Sequence, residues 1–405
     1  MKRILLTLAI IAFCCASAGA QKKIPDVHKT FNEQGYRRTE IILPQVKGFN
    51  CYKADFHVHT IYSDGELTPR QRVREAWYDG LDILAITDHL EARNYEKYML
   101  KALAPHNPGG VAHKYYHAGS VRLMEDGTDP GIRSDHNAAF DEAVQHLQKE
   151  AYPILLIKGS EISRAPKTQG HFNALFLKDI PAIYNIDTKE TFRNVHKQGG
   201  IVIHNHPAYR RNTTEKTEWQ AEAYKEGLID GIEIVNGMSF YPKMIRRAKE
   251  ENLAMIGGTD THRPTTGYYR DLGFYRTMTF VLAKECSEKA IKDAILKRRT
   301  IVYSGGELMG EEKWLKEFVN AAVDCRFVSE TGGKKNDSHI YSLTNNSSIT
   351  IRLRRGNTIY ELLPFRTTTV SYNKNKNGEY GTPTFTIENM WHIDYQHPKV
   401  AFEID

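Results

Sequence analysis

Ala54-Asp55-Phe56-His57-Val58-His59 is the stretch on which the fold turns. A short apolar run, Ala54–His57, reads as a strand and passes straight into a second histidine and the polar turn Ser63-Asp64-Gly65. The same event recurs downstream. Ile83–Thr87 leads into Asp88-His89, and Ile154–Lys158 into Gly159-Ser160-Glu161. Ile201–His204 leads into Asn205-His206-Pro207, and Ala254–Gly257 into Gly258-Thr259-Asp260-Thr261-His262. Phe172–Leu177, introduced by Gly170-His171, and Ile232–Val235 complete a set of seven strand candidates. Helical stretches lie between them. Thr68-Pro69 supplies an N-cap and first-turn pair, and Gly80 a stop after Arg72–Asp79. Alternating strands and helices predict a parallel α/β sheet or barrel, in which the C-terminal strand ends share one face.

Each polar cluster alone is a weak signal in a chain with 17 histidines. Their common placement at strand ends carries the inference, because histidines used only for packing would scatter along the strands. His-x-His on an extended segment turns both imidazoles to one side, since strand side chains repeat every two residues. Two neutral imidazoles can grip a borderline divalent ion, and added carboxylates balance its charge. No cysteine neighbours these motifs, which excludes a Cys-rich structural zinc site. The mixed His/Asp/Glu set suits a catalytic Zn, Mn or Fe centre, with Mg also possible.

The ordered set from His57-x-His59 to Asp260-x-His262 resembles the PHP (polymerase and histidinol phosphatase) family of metal-dependent phosphoesterases over about residues 51–305. The resemblance implies a distorted seven-stranded β/α barrel with up to three metals at the C-terminal strand ends. It implies that His57, His59, Glu161 and Asp260 hold one metal. Glu161 would bridge to a second, also held by His171 and His206, while Asp64, His89 and His262 would hold a third. Asp64 stands where many relatives carry a histidine, so that third site would either bind more weakly or select a harder metal. His204 is expected behind the ligands, and Asp88 either orients His89 or caps a turn. Arg210, Arg211, Arg263 and Arg270 follow the His206 and His262 loops, and of these Arg210 and Arg263 are the candidates for gripping a phosphate.

The rest of the chain frames this core. With 405 residues and 40% hydrophobic side chains, the chain can bury a large core without disulfides. Lys2 and Arg3, the apolar run Ile4–Cys15 and the small residues Ala18-Gly19-Ala20 read as a signal peptide over 1–20, too short to span a bilayer. This predicts export, to a periplasm or beyond the cell. Cys51, Cys286 and Cys325 then remain, enough for one disulfide at most. Loss of Lys2 and Arg3 takes the formal charge from +6 to +4, which suits a small anionic substrate and falls short of a nucleic-acid-binding signature. Residues 21–50 read as an irregular arm, and 93–135 as an inserted loop that could act as a lid. Within it His106, His113 and His117 are expected to be ordinary loop histidines. The barrel region, 51–318, gives way at about Val319 to β-like segments separated by Asn/Gly/Lys turns, the pattern of a small sandwich-like domain over 319–405.

These readings converge on an exported hydrolase that cleaves a small phosphomonoester with a hydroxide held between metal ions, without nucleic acid as partner and without a membrane span. Oligomeric state is left open. Two rivals stand beside it. An amidohydrolase-like enzyme would cut a non-phosphate bond and commonly uses a bridging carboxylated lysine. Here that place falls on Glu161, with Lys158 three residues earlier. An inactive surface-binding protein would be expected to have lost part of the ligand set.

Overall fold

A computed structural model describes residues 37–92, 136–332, 337–373, 380 and 382–404. The expected leader, most of the arm and the 93–135 insertion with its histidines lie outside the described residues. The structure is α/β, with one large curled sheet and two smaller all-β sheets.

The core follows the predicted strands closely. They are β1 (Asn50–Asp55), β2 (Ile83–Ile86), β3 (Leu155–Arg164), β4 (Gly170–Leu175), β5 (Ile201–His204), β6 (Gly231–Asn236) and, after the short β7 (Ser239–Phe240), β8 (Ala254–Gly258). The order β1-β2-β3-β4-β5-β6 is sequential, and β8 pairs with β6. Helices α1 (Pro69–Tyr78), α2 (Ala138–Glu150), α3 (Thr188–Lys197), α4 (Glu218–Lys225) and α5 (Pro242–Glu250) connect the strands. α1 starts as its sequence dictates: Thr68 and Gln71 form a reciprocal capping box, with Pro69 in the first turn. Gly80, at φ +90°, lets the chain turn back after it.

Two expectations are corrected. The sheet is not all parallel: β3 and β4 form an antiparallel hairpin through the 165–169 turn, and β4 is antiparallel to β5 as well. No helix separates them in the sequence, so the chain had no crossover with which to return parallel. The reversal has a consequence for the site. The start of β4, with His171, lies at the same edge as the ends of β1, β2, β3, β5, β6 and β8. Nor is seven the full count. β9 (Met278–Ala283) runs antiparallel against β1, followed by β10 (Thr300–Ser304), β11 (Glu307–Gly310) and β18 (Met390–Trp391), so the sheet has 12 strands. The seven expected strands close on themselves only loosely, through the single bridge Val58–Thr261.

One buried cluster draws alternate residues from several strands: Ala54 and Phe56, Ile83 and Ala85, Ile201 and Ile203, Ala254 and Ile256. Ile291, Ala294 and Ile295 of α6 (Glu288–Leu296) join it. The C-terminal region forms two antiparallel sheets, β12-β13-β16 and β15-β14-β17-β19. The first uses Val323–Thr331, Ser338–Asn345 and Thr367–Asn373; the second uses Thr358–Leu362, Ile351–Arg355, Thr384–Ile387 and Lys399–Ala401. The expected boundary at 319 falls inside α7 (Glu312–Ala322). Leu343, Ile351 and Phe385 of these sheets share a core with Leu84, Phe280 and Phe318, so the two regions bury their apolar faces together. Among the described residues no helix is long and apolar enough to cross a membrane. Cys51, Cys286 and Cys325 are not joined in a disulfide.

Candidate metal centre

Past the last ladder bonds, isolated bridges carry the strands a step further. Val58 pairs with Thr261, and His89 with Glu161. These bridges set His57 and His59 beside Asp260 and His262, and bring His89 against Glu161. The left-handed backbone at Asp260 (φ +51°) and His206 (φ +23°) turns both side chains inward. Non-glycine residues adopt this conformation at a cost, and such outliers cluster at functional sites.

The nine residues expected as ligands all come together. Glu161 sits centrally. Its Oε1 lies 3.1 Å from His206 Nε2, 3.4 Å from His171 Nδ1 and 3.5 Å from His57 Nε2. Its Oε2 lies 2.7 Å from His89 Nδ1 and 3.6 Å from His59 Nε2. Asp260 Oδ1 is 3.2 Å from His57 Nε2 and 3.0 Å from His59 Nε2. Asp64 spans His89 Nε2 at 3.3 Å and His262 Nε2 at 3.2 Å. Three sets of donor atoms emerge: His59/Asp64/His89/His262, His57/Glu161/His206 and His57/His59/Asp260. Donors around a tetrahedral ion at about 2.0–2.1 Å are spaced about 3.3–3.4 Å apart, which is the range seen here.

The unpaired atoms point the same way. His57 Nε2 and His59 Nε2 are buried without a hydrogen-bond partner. Orphan polar atoms are costly in a protein interior unless something is meant to bind them. The electrostatics agree. Burial, together with the neighbouring His262 and His89, pulls His59 down to about 4, leaving the neutral imidazole that ligates metal. Burial works against the charge of Glu161, yet His89, His57 and His171 hold it well below the usual carboxylate range. Burial likewise opposes a charged His57, but Asp260, Glu233 and Glu161 outweigh it and raise the imidazole well above its ordinary value. Carboxylate charge concentrated among histidines in this way is the charge that divalent cations would balance. The donor set therefore fits such ions.

Residues behind the ligands fix their aim, and the most telling of them escaped the sequence reading. Glu233 Oε1 lies 2.8 Å from His57 Nδ1, while its Oε2 accepts from the His206 amide at 2.7 Å and Asn236 Nδ2 at 3.0 Å. The available signal was an acid inside the apolar run Gly231-Ile232-Glu233-Ile234-Val235, where a charge has no other reason to be buried. Asn205 Nδ2 donates to Glu161 Oε1 at 2.9 Å. Asp55 accepts from the amides of His57 and Thr259, each at 3.1 Å, and pairs with buried Arg276.

Of the residues placed outside the ligand set, Asp88 acts on the ligands through Ser63, whose hydroxyl also lies 3.4 Å from His59 Nδ1. Asp88 accepts from Thr60 N at 2.7 Å and Ser63 Oγ at 2.6 Å, so it holds the loop that follows His59. His204 faces away from the cluster, where its Nδ1 meets the Tyr224 hydroxyl at 2.7 Å and its ring stacks on Phe172. The irregular backbone at His206 breaks the two-residue alternation, so His204 and His206 do not share a face. Arg210 is exposed and lies over Tyr209, whose ring is 5.0 Å from His206 and 5.1 Å from His171. Arg263 is exposed and ion-paired with Glu66 at 3.1 Å. Lys158 Nζ reaches Asn137 Oδ1 at 3.3 Å, on the α2 side, and does not join the ligands. A cavity of about 420 Å³ opens beside Asp260 and His262, with half-exposed Met238 and Tyr268 in its wall.

Comparison with known proteins follows this geometry. The PHP domain model matches residues 55–240. A solved structure from Bacteroides vulgatus, described as a two-domain protein containing a predicted PHP-like metal-dependent phosphoesterase, is 33% identical with a TM-score of 0.73. The match covers 90% of this chain and 98% of that one. An uncharacterized protein of Methanocaldococcus jannaschii is 47% identical over 47 residues, 12% of this chain; the matched segment spans only 22% of the length of that relative. A lesion-specific endonuclease of Pyrococcus furiosus is 16% identical with a TM-score of 0.35, and the match covers 68% of this chain and 62% of that one.

Proposed function

This chain belongs to the PHP family of metal-dependent phosphoesterases, and on that premise we propose that it is an exported hydrolase of small phosphomonoesters that works with three divalent ions, Zn, Mn or Fe, with Mg possible. The observation that carries the reading is the convergence of His57, His59, Asp64, His89, Glu161, His171, His206, Asp260 and His262 on one buried cluster. Divalent ions held there would supply positive charge for phosphoryl oxygens and would acidify water to a hydroxide nucleophile. The protein's own groups prepare that chemistry. Asn205 and Asn236 hold Glu161 and Asp260 by their amide groups, while Glu233 and Ser63 lie at the Nδ1 atoms of His57 and His59. Arg210, carried on Tyr209 beside His206 and His171, stands at the rim where a phosphate dianion would enter. Met238 and Tyr268 offer apolar surface to the leaving alcohol. Glu161 at the central position, with Lys158 turned away, favours phosphate chemistry over a site built on a carboxylated lysine.

Hydrolysis of a panel of phosphomonoesters, read as phosphate release, and of phosphodiesters, amides and DNA, read by separation of their products, with Mn or Zn supplied, tests the reading. Metal-dependent turnover of monoesters, lost in both His59→Ala and Asp260→Ala, is expected. Turnover retained in both folded variants, or confined to DNA or amides, would overturn it.

A further inference from the structure

A cavity of about 460 Å³ outside the metal centre lies where the barrel meets the C-terminal sheets. Its wall combines the 265–276 loop, the turn between β10 and β11 and the segment around Thr350. The volume falls within the range of small-molecule sites. Its chemistry is specific. Phe274 and half-buried Tyr275 bring aromatic surface, with the nearly buried Tyr269 and Tyr303 behind them. Arg270 and Arg352 add guanidinium groups, Arg352 being exposed and paired with Glu361 at 3.1 Å. The acid in the wall, Asp79, is already paired with Arg276 at 3.1 Å and accepts from Thr265 at 2.8 Å. Rings that can stack on a sugar face, hydroxyls that can exchange hydrogen bonds with a polyol, and arginines that can grip an anion describe one ligand class.

The same wall is wired to the metal centre. Arg276 is 2% exposed, and its Nε has no hydrogen-bond partner. It touches Asp79 on the cavity side and Asp55 on the other. Asp55 accepts from the His57 and Thr259 amides, and the Asp260 amide donates to His57 O at 2.8 Å. Counted from Arg276 in the cavity wall, two links reach His57 and a third reaches Asp260.

We propose that this cavity is a second ligand site for an anionic saccharide of monosaccharide size, and that its occupancy is transmitted through Arg276 and Asp55 to the metal centre. The carboxylate of a uronic acid and the phosphate of a sugar phosphate offer the arginines the same anionic oxygens. The aromatic faces and hydroxyls recognise the ring in either case.

The test uses the full chain and calorimetric titration with glucuronate and with glucose 6-phosphate, glucose serving as the neutral control. Binding of at least one anionic sugar, weaker binding of glucose, and a loss of about tenfold in Arg352→Ala and in Arg270→Ala are expected, the scale of a charge-assisted hydrogen bond. Which of the two anionic sugars binds more tightly identifies the carboxylate or the phosphate source. With metal stripped from both proteins, His59→Ala should bind glucuronate as the parent does, which separates this site from the catalytic one even if the phosphoesterase reading fails. Saturating glucuronate or glucose 6-phosphate should shift the Mn dissociation constant in the parent and not in Arg352→Ala. No binding of either anionic sugar at millimolar concentration, or unchanged binding in both arginine variants, overturns the site. Binding with no shift in Mn affinity overturns the coupling.

Discussion

Glu233→Gln isolates one charge at nearly constant shape. The carboxylate accepts from two donors at Oε2, the His206 amide and Asn236 Nδ2, and meets His57 Nδ1 at Oε1. A glutamine keeps only one acceptor oxygen. Placing its NH2 at the Oε2 position would oppose two donors, so the favoured orientation keeps oxygen there and turns NH2 toward His57. Nδ1 must then accept, which moves the imidazole proton to Nε2, the atom aimed at Glu161 and Asp260. A protonated Nε2 cannot ligate. Loss of such a partner typically costs about 10- to 100-fold in metal affinity, or roughly 1.4–2.7 kcal/mol. The assay is a Mn or Zn titration of metal-stripped protein, with circular dichroism to show that the variant is folded. Parent-like affinity in a folded Glu233→Gln protein would refute the tautomer argument, because nothing else in the substitution alters the ligand sphere.

Other variants probe the surroundings. Gly258→Ala would place its Cβ 2.7 Å from His57 Cβ and 2.9 Å from Glu233 Oε1. It should lower stability by about 1–3 kcal/mol and depress metal affinity with it, as read by urea denaturation and metal titration. Arg276→Met strands buried Asp55 without its cation and should cost about 3–5 kcal/mol; a melting temperature equal to the parent's would show that Asp55 does not depend on it. His204→Phe loses the Tyr224 hydrogen bond, worth about 1 kcal/mol, but should keep full metal content, whereas His206→Ala should lose metal by elemental analysis. Equal metal loss in both would mean that His204 belongs to the centre after all.

Much of this molecule was legible before its coordinates. Short continuous apolar runs marked the barrel strands because burial on both faces demands them, and Thr68-Pro69 and Gly80 marked the limits of α1 through capping and left-handed backbone. The ligands were readable because they stand at strand ends, where short-range sequence pattern and tertiary position coincide. What escaped was long-range. The antiparallel turn of β4 depends on the hairpin at 165–169, which composition does not announce. β9 to β11 lie outside the expected set although their residues are as apolar as the rest, because no ligand-type cluster at their ends sets them apart. His206 among the ligands and His204 behind them follow the expectation, and the left-handed backbone at His206 is what separates the two faces. Glu233, buried in mid-strand, gave a signal that local pattern could have caught.

Anomalous diffraction from crystals soaked in Mn or Zn, recorded at the absorption edge of the metal, tests the central claim most directly. The account predicts peaks among His57, Glu161, His206 and Asp260, and between Asp64, His89 and His262, each within about 2.0–2.3 Å of its donor atoms. Peaks confined to the surface, or a cluster that stays without anomalous signal at saturating metal, would contradict it.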